Sequence, residues 1–147
     1  MPTDWSPLWL SLRVAALGTA GALLPGLWLA HLLTTRPATR RVLLTLLSLL
    51  LATPVLILVF LLRRAAWNWQ LASAAGILTA LPLVARGAFS AWQALDRPYA
   101  AAARSLGNSE TRIFLRVLLP LSWRALLASI ALASLRVLVE WNLVRAL

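Results

Sequence analysis

Long, nearly uncharged runs of apolar residues limit the folds that this chain can adopt. Four such runs cover residues 8–33, 42–62, 71–91 and 125–141, and the first is long enough as a helix to cross a hydrocarbon core about 30 Å thick. Of the 147 residues, 61% are hydrophobic and 12% are charged, whereas a soluble domain is about half apolar and about one quarter charged. We therefore expect an all-α fold, a polytopic transmembrane helical bundle of about four spans, in a single domain covering residues 1–147.

The charge of the chain is strongly basic. It has 14 basic residues, all of them arginine, against 4 acidic residues. Such a charge on a soluble protein indicates nucleic-acid binding, but these arginines lie at the ends of the hydrophobic runs, which is typical of membrane orientation. We therefore expect contact with membrane lipid and no nucleic-acid partner. With one histidine, no cysteine and no Walker sequence, we expect no catalytic residue, metal site or cofactor, and no enzymatic activity.

The distribution of arginines also predicts an orientation. With the N-terminus outside, the polar loop predicted at residues 34–41 and the segment at residues 96–120 both face the cytoplasm, and only Arg63 and Arg64 face outward. Tryptophans near the ends of the spans are expected at the membrane surfaces, with Trp92 and Trp123 at the inner one. The segment at residues 96–120 is therefore predicted to be cytoplasmic.

Residues 96–120 are predicted to form an elbow between the third and fourth spans. Residues 100–106 are good helix formers with no β-branched side chain. In Gly107-Asn108-Ser109, the glycine suits a helix C-terminus with positive φ, and either following residue can cap a second helix. We expect two short helices with a break between them, and Pro120 at the entry to the next hydrophobic run.

The elbow resembles the cytoplasmic EAA loop of permease subunits from bacterial ABC importers. The family pattern is Glu-Ala-Ala, three residues, a glycine and a later Leu-Pro; here an alanine replaces the glutamate. The resemblance implies a coupling helix that sits in a groove of a separate ABC ATPase subunit. The residues that match the pattern, and are therefore the expected ATPase-coupling residues, are Ala102, Ala103, Arg104, Ser105, Leu106, Gly107, Leu119 and Pro120. The alternative is an amphipathic helix that lies on the membrane surface, its arginines on anionic lipid.

Further segments resemble the molybdate-type subfamily of these permeases. They are Trp9-Leu-Ser-Leu-Arg-Val, Leu81-Pro-Leu-Val-Ala-Arg86, the run from Leu95 through the elbow, and Arg136-x-x-x-Glu140. The resemblance implies transport of molybdate or a related oxyanion across the bacterial inner membrane, with delivery by a periplasmic substrate-binding protein. Typical members continue with at least one more span, so the chain is expected to be shortened at its C-terminus. The alternatives are a permease for another solute, such as sulfate, tungstate, thiamine or iron, and a truncated paralogue that does not transport.

The translocation path is expected at a homodimer interface, because a single chain of about four spans cannot enclose a wide path. Arg136 and Glu140 are four residues apart on one helical face and are predicted to pair. Charged residues at membrane depth have a functional or packing role, and hydroxyl groups can replace the hydration of an oxyanion. The candidate path residues are Arg136, Glu140, Thr53 and Ser134. The alternative is that the two charged residues form a structural ion pair and that the hydroxyl groups only pack helices together.

The first span also contains a predicted packing face. Gly18, Gly21 and Ala22 are small residues at helical spacing, which lets another helix approach closely. Prolines within the runs, at Pro54 among others, predict kinks or hinges.

Overall fold

The structure is a computed structural model that describes residues 6–52, 69–95, 99 and 101–146. Within these residues the elements are α1 (Ser6–Thr35), α2 (Pro37–Ala52), α3 (Trp69–Leu95), α4 (Ala101–Ser105), α5 (Glu110–Ile113), a π-helical turn (Phe114–Leu118) and α6 (Leu119–Ala146). No strand occurs in the described part of the chain, so the predicted all-α fold is confirmed there.

Three helices in the described part of the chain are long and apolar enough to cross a membrane. They are Trp9–Thr35, Ser73–Leu95 and Thr111–Glu140, and they overlap the first, third and fourth predicted spans. The predicted second span begins within α2, but its second half, with Thr53 and Pro54, lies outside the described residues. A bundle of membrane-spanning helices is therefore supported, and the count of four spans stays a prediction.

The connection between α1 and α2 is shorter than expected. Only Arg36 lies between the two helices, so the prediction of a polar loop at residues 34–41 is wrong. The hydroxyls of Thr34 and Thr35 donate to carbonyl oxygens one turn back in α1, at 2.8 and 3.0 Å, and polar residues therefore continue the helix. Pro37 begins α2, where its fixed φ and missing N–H suit the first turn.

α3 is the central helix of the bundle and packs against α1, α2 and α6. α1 and α3 cross at Gly18 and Gly76, where a Cβ built on Gly18 would lie 3.0 Å from the Cα of Gly76. Ala22, one turn further along α1, is fully buried. The small-residue face predicted in the first span is therefore confirmed as a contact between helices, which allows close backbone approach where lipid gives no hydrophobic driving force.

A buried cluster, which we call the elbow-end cluster, joins α1 and α3 to the second half of the elbow. It contains Leu33, Phe89, Trp92, Ile113 and Leu118 among its buried residues. Trp92, which was expected at the inner membrane surface, is 1% exposed, so it packs inside the protein and does not face lipid; its depth in the membrane stays a prediction. Its Nε1–H donates to the Ser122 hydroxyl at 3.1 Å, and this acceptor allows the indole to be buried.

Candidate functional site

The turn after α4 has the hydrogen bonds of a Schellman motif. The N–H of Asn108 donates to the Ala103 carbonyl at 3.3 Å, and the N–H of Gly107 donates to the Arg104 carbonyl at 2.9 Å. Gly107 has a φ of 76°, which confirms the prediction of a glycine with positive φ at the end of the first helix. The side-chain amide of Asn108 also donates to Ala103 at 3.2 Å, so this side chain helps to close α4.

The outer face of the elbow is exposed and made of small residues with one large apolar side chain. Ala102, Ser105 and Gly107 are exposed, and among the described residues only the chain neighbours of Gly107 come within 4 Å of the position that a Cβ on it would occupy. Leu106, between them, is 81% exposed. The Ser105 hydroxyl donates to the Ala102 carbonyl at 2.7 Å, so its polarity is used within α4. This face can therefore receive a closely packed apolar partner.

The inner face of the elbow packs on the bundle. Ala103 is half-buried against the elbow-end cluster, and so is Leu119 at the start of α6. Arg104 is exposed at the side of the elbow, and Pro120 is exposed on α6. The eight residues of the expected coupling set are therefore not one surface: Ala102, Ser105, Leu106 and Gly107 face outward, whereas Ala103 and Leu119 hold the elbow to the helices.

The second half of the elbow runs through the π-helical turn into α6, without a break between residues 110 and 146. The N–H of Leu119 donates to the carbonyl of Phe114, five residues earlier. Pro120 has no N–H, and in an ordinary α-helix its ring would crowd the carbonyl of Arg116. The wider turn accommodates the proline within a continuous helix, and such turns are frequent at functional sites.

Arg136 on α6 holds two partners. Its Nε donates to Glu140 Oε1 at 2.9 Å, which confirms the predicted i, i+4 pair, and its Nη2 donates to the Leu51 carbonyl of α2 at 2.8 Å. The two charged side chains are only 24% and 17% exposed. Within the described residues, Glu140 Oε2 is buried and accepts no hydrogen bond. The arginine therefore ties α2 to α6 and pairs with one carboxylate oxygen of Glu140, and the Thr79 hydroxyl on α3 also lies near this carboxylate.

The other candidate path residues do not join this pair. The Ser134 hydroxyl donates to the Ile130 carbonyl at 2.9 Å and lies 3.1 Å from the hydroxyl of Thr19 on α1. Ser134 thus contacts α1, whereas Arg136 contacts α2. Thr53 lies outside the described residues.

Residues 22–141 match the sequence model of the family described as binding-protein-dependent transport system inner membrane component. The chain belongs to this family. The matched range contains the elbow, all of α3 and most of α6, and no curated protein matches the chain. The chain is therefore a membrane permease component of a binding-protein-dependent transport system. This agrees with the resemblance of its elbow to permease subunits.

Two contacts between helices of this transport component were not predicted from the sequence. The Arg86 guanidinium on α3 donates to the Ser48 hydroxyl on α2 at 3.0 Å, and the Arg40 guanidinium on α2 lies 4.6 Å from the ring centroid of Phe89 on α3. Both fasten α2 to α3. For Arg86 the available signal was an arginine inside an apolar run, since charge at membrane depth needs a partner, although the identity of that partner requires the structure. Arg40 gave no such signal, because it lies in the stretch that was predicted to be a polar loop.

Proposed function

We propose that this chain is the transmembrane permease subunit of an ATP-driven ABC importer. In this proposal two copies form a homodimer around the translocation path, an ABC ATPase subunit docks on each elbow, and a periplasmic substrate-binding protein delivers the solute. The N-terminus is outside and the elbow is cytoplasmic. The observation that carries the proposal is the outer face of the elbow, where Leu106 is 81% exposed beside an open glycine turn.

The two faces of the elbow suit a coupling role. The outer face offers a leucine and small residues to the ATPase, while Ala103 packs on the elbow-end cluster. A displacement of the elbow by the ATPase is passed to α3 through that cluster and to α6 through the π-helical turn. A bulky residue at Ala103 would disturb this packing, so Ala102 and Leu106 are better probes of docking alone.

The proposed solute is molybdate or a related oxyanion. Its support is the resemblance of four segments to the molybdate-type subfamily, together with the chemistry of Arg136. The guanidinium already holds a carboxylate at 2.9 Å, and an oxyanion offers the same kind of charged oxygen acceptor. In the proposed path an oxyanion therefore competes with Glu140 for Arg136.

Docking is tested by substitution of Leu106. Burial of a leucine side chain contributes about 1.5–3 kcal/mol, and most of this is available to a partner because the side chain is 81% exposed. Leu106→Ala should weaken association with the ATPase by roughly tenfold to a hundredfold without loss of helical content. Leu121→Ala is the matched control, because Leu121 is 47% exposed but lies on α6. Association is measured by titrating the purified ATPase subunit onto the permease in nanodiscs.

Equal affinities for the two variants, or no binding of an ATPase by the unmodified chain, would refute the proposed docking role. The solute is tested separately, by uptake of labelled molybdate into vesicles that contain the assembled transporter. Uptake that sulfate inhibits and thiamine does not would support an oxyanion path. Uptake of a different solute would replace molybdate and leave the docking proposal intact.

A further inference from the structure

The π-helical turn brings the last residue of α5 onto a buried face that continues into α6. Leu118, Ser122 and Ala133 are buried and lie on one face of this segment, because they recur after whole helical turns. Continued backwards as an α-helix, the same face would pass through Phe114, but Ile113 occupies it, is 1% exposed and belongs with Leu118 to the elbow-end cluster. A π-helical turn holds one residue more than an α-helical turn, and this extra residue places Ile113 on the buried face.

The sequence offers a second way to pack this segment. We call the observed arrangement the π register and the alternative the α register, in which the N–H of Leu118 donates to the Phe114 carbonyl and Phe114 takes the place of Ile113. One residue of register corresponds to about 100° of helix rotation, which moves a point on the helix surface by roughly 8 Å. Both side chains are large and apolar, so the elbow-end cluster is filled in either register. Two packings of one segment are a recurrent basis of conformational switches.

Two residues hold the turn in the π register. Pro120 has no N–H, and in the α register its ring crowds the Arg116 carbonyl. Trp92 on α3 contacts both sides of the turn: its ring centroid lies 4.9 Å from that of Phe114 before the turn, and its Nε1–H donates to the Ser122 hydroxyl after the turn at 3.1 Å. A change of register moves Phe114 relative to Ser122, so the indole keeps both contacts only in the π register.

We propose that the π-helical turn is a two-register hinge between α5 and α6, which Pro120 and Trp92 hold in the π register. In the α register α5 rotates relative to α6, while α6 keeps its contacts with α1 and α3. The hinge rests on the proposed docking for its driving force only, because an ATPase that displaces α4 and α5 supplies the energy for the change. The two registers themselves are a property of this chain alone.

The test is the distance between two spin labels in the full-length chain in nanodiscs. The chain has no cysteine, so Arg112→Cys on α5 and Leu46→Cys on α2 give two labelling sites, both at exposed residues. The labelled chain is diluted with an excess of unlabelled chain, so that only distances within one chain contribute. Double electron–electron resonance should give a single distance population while Pro120 is present.

Removal of the proline should reveal the second register. Pro120→Ala restores an N–H and removes the ring, so the ratio of the α register to the π register should rise roughly a hundredfold. A second distance population should then appear, displaced by up to roughly 8 Å. Pro25→Ala is the matched control, because Pro25 is also exposed and lies inside a helix, α1, and it should leave one population. A single unchanged population in both variants would overturn the proposal.

A second pair of variants, made in the Pro120→Ala chain, tests the role of the indole. Trp92→Phe should raise the ratio of the displaced to the original population roughly fivefold, because the hydrogen bond to Ser122 is lost. Ser122→Ala breaks the same bond without a change of ring size and should act in the same direction. Trp123→Phe is the matched control, since it removes a 53% exposed indole from the next residue of α6, and it should leave the ratio unchanged.

Circular dichroism checks that every variant keeps its helical content. Equal ratios in Trp92→Phe and Trp123→Phe, or opposite effects of Trp92→Phe and Ser122→Ala, would show that Trp92 does not hold the register. These measurements need no ATPase. Absence of a second register would therefore refute the hinge and leave the docking proposal intact, whereas absence of ATPase binding would refute the docking and leave the hinge.

Discussion

The crossing of α1 and α3 allows a quantitative prediction about what holds the bundle together. In Gly18→Ala the new Cβ would lie 3.0 Å from the Cα and carbonyl carbon of Gly76, and these backbone atoms can move only if the helices separate. In Gly21→Ala the new Cβ would lie 2.7 Å from Cδ1 of Ile77, the end of a side chain that can rotate away. The two substitutions make the same chemical change one turn apart on the same helix.

Their difference in stability follows from these contacts. Both gain the same helix propensity, about 1 kcal/mol, so this contribution cancels between them. Separating packed helices costs about 1–3 kcal/mol, whereas displacing one side chain from its rotamer costs about 0.5–1.5 kcal/mol. Gly18→Ala should therefore be less stable than Gly21→Ala by about 1 kcal/mol, which is roughly a fivefold change in the equilibrium between folded and unfolded chains.

The measurement is reversible unfolding in mixed micelles, with a denaturing detergent titrated into a mild one and helical content followed by circular dichroism. The two variants and the unmodified chain are compared under identical conditions. Equal stabilities of the two variants, or a lower stability of Gly21→Ala, would show that the backbone contact between Gly18 and Gly76 does not set the separation of the helices.

Two further predictions concern the elbow and the ion pair. Gly107→Val strains a residue with a φ of 76° by about 1–2 kcal/mol, whereas Gly107→Asn keeps the turn because asparagine tolerates this conformation. Hydrogen exchange of the Asn108 backbone amide should therefore accelerate roughly fivefold to thirtyfold in the valine variant and stay unchanged in the asparagine variant. Equal exchange rates in the two variants would contradict the Schellman geometry. Arg136→Gln leaves the Glu140 carboxylate without its cation and should cost about 1–3 kcal/mol, less than a fully buried pair because both side chains retain some exposure. Adding Glu140→Gln to this variant should restore part of the loss in the same micelle titration, and a further loss would show that the pair is not coupled.

Patterns along one helix could be predicted from the sequence. Apolar runs predicted α1, α3 and α6 because a helix in lipid must satisfy its own backbone and cover it with apolar side chains. The pair between Arg136 and Glu140 follows from four-residue spacing, and the φ of Gly107 follows from its place after a run of helix-forming residues. Each of these inferences depends on local geometry only.

Features that depend on contacts between helices could not be predicted. A tryptophan near the end of a span suits the membrane surface, but Trp92 is buried because it faces Ser122 and Phe114. The continuous helix through Pro120 depends on the π-helical turn before it, which no propensity predicts. In the candidate site, Ala102 and Ala103 are the same residue type, so the sequence does not distinguish them. Only the packing of α4 on the bundle leaves Ala102 exposed and Ala103 half-buried.

The central claim, that the elbow is a cytoplasmic docking surface for an ATPase, is tested most directly by labelling a single cysteine at its outer face. The chain has no cysteine, so Ser105→Cys gives one reactive site, which is labelled with a membrane-impermeant maleimide in right-side-out and inside-out vesicles. The account predicts labelling in inside-out vesicles only, and protection of the thiol when the ATPase subunit is added. Labelling in right-side-out vesicles, or labelling that the ATPase does not reduce, would contradict it.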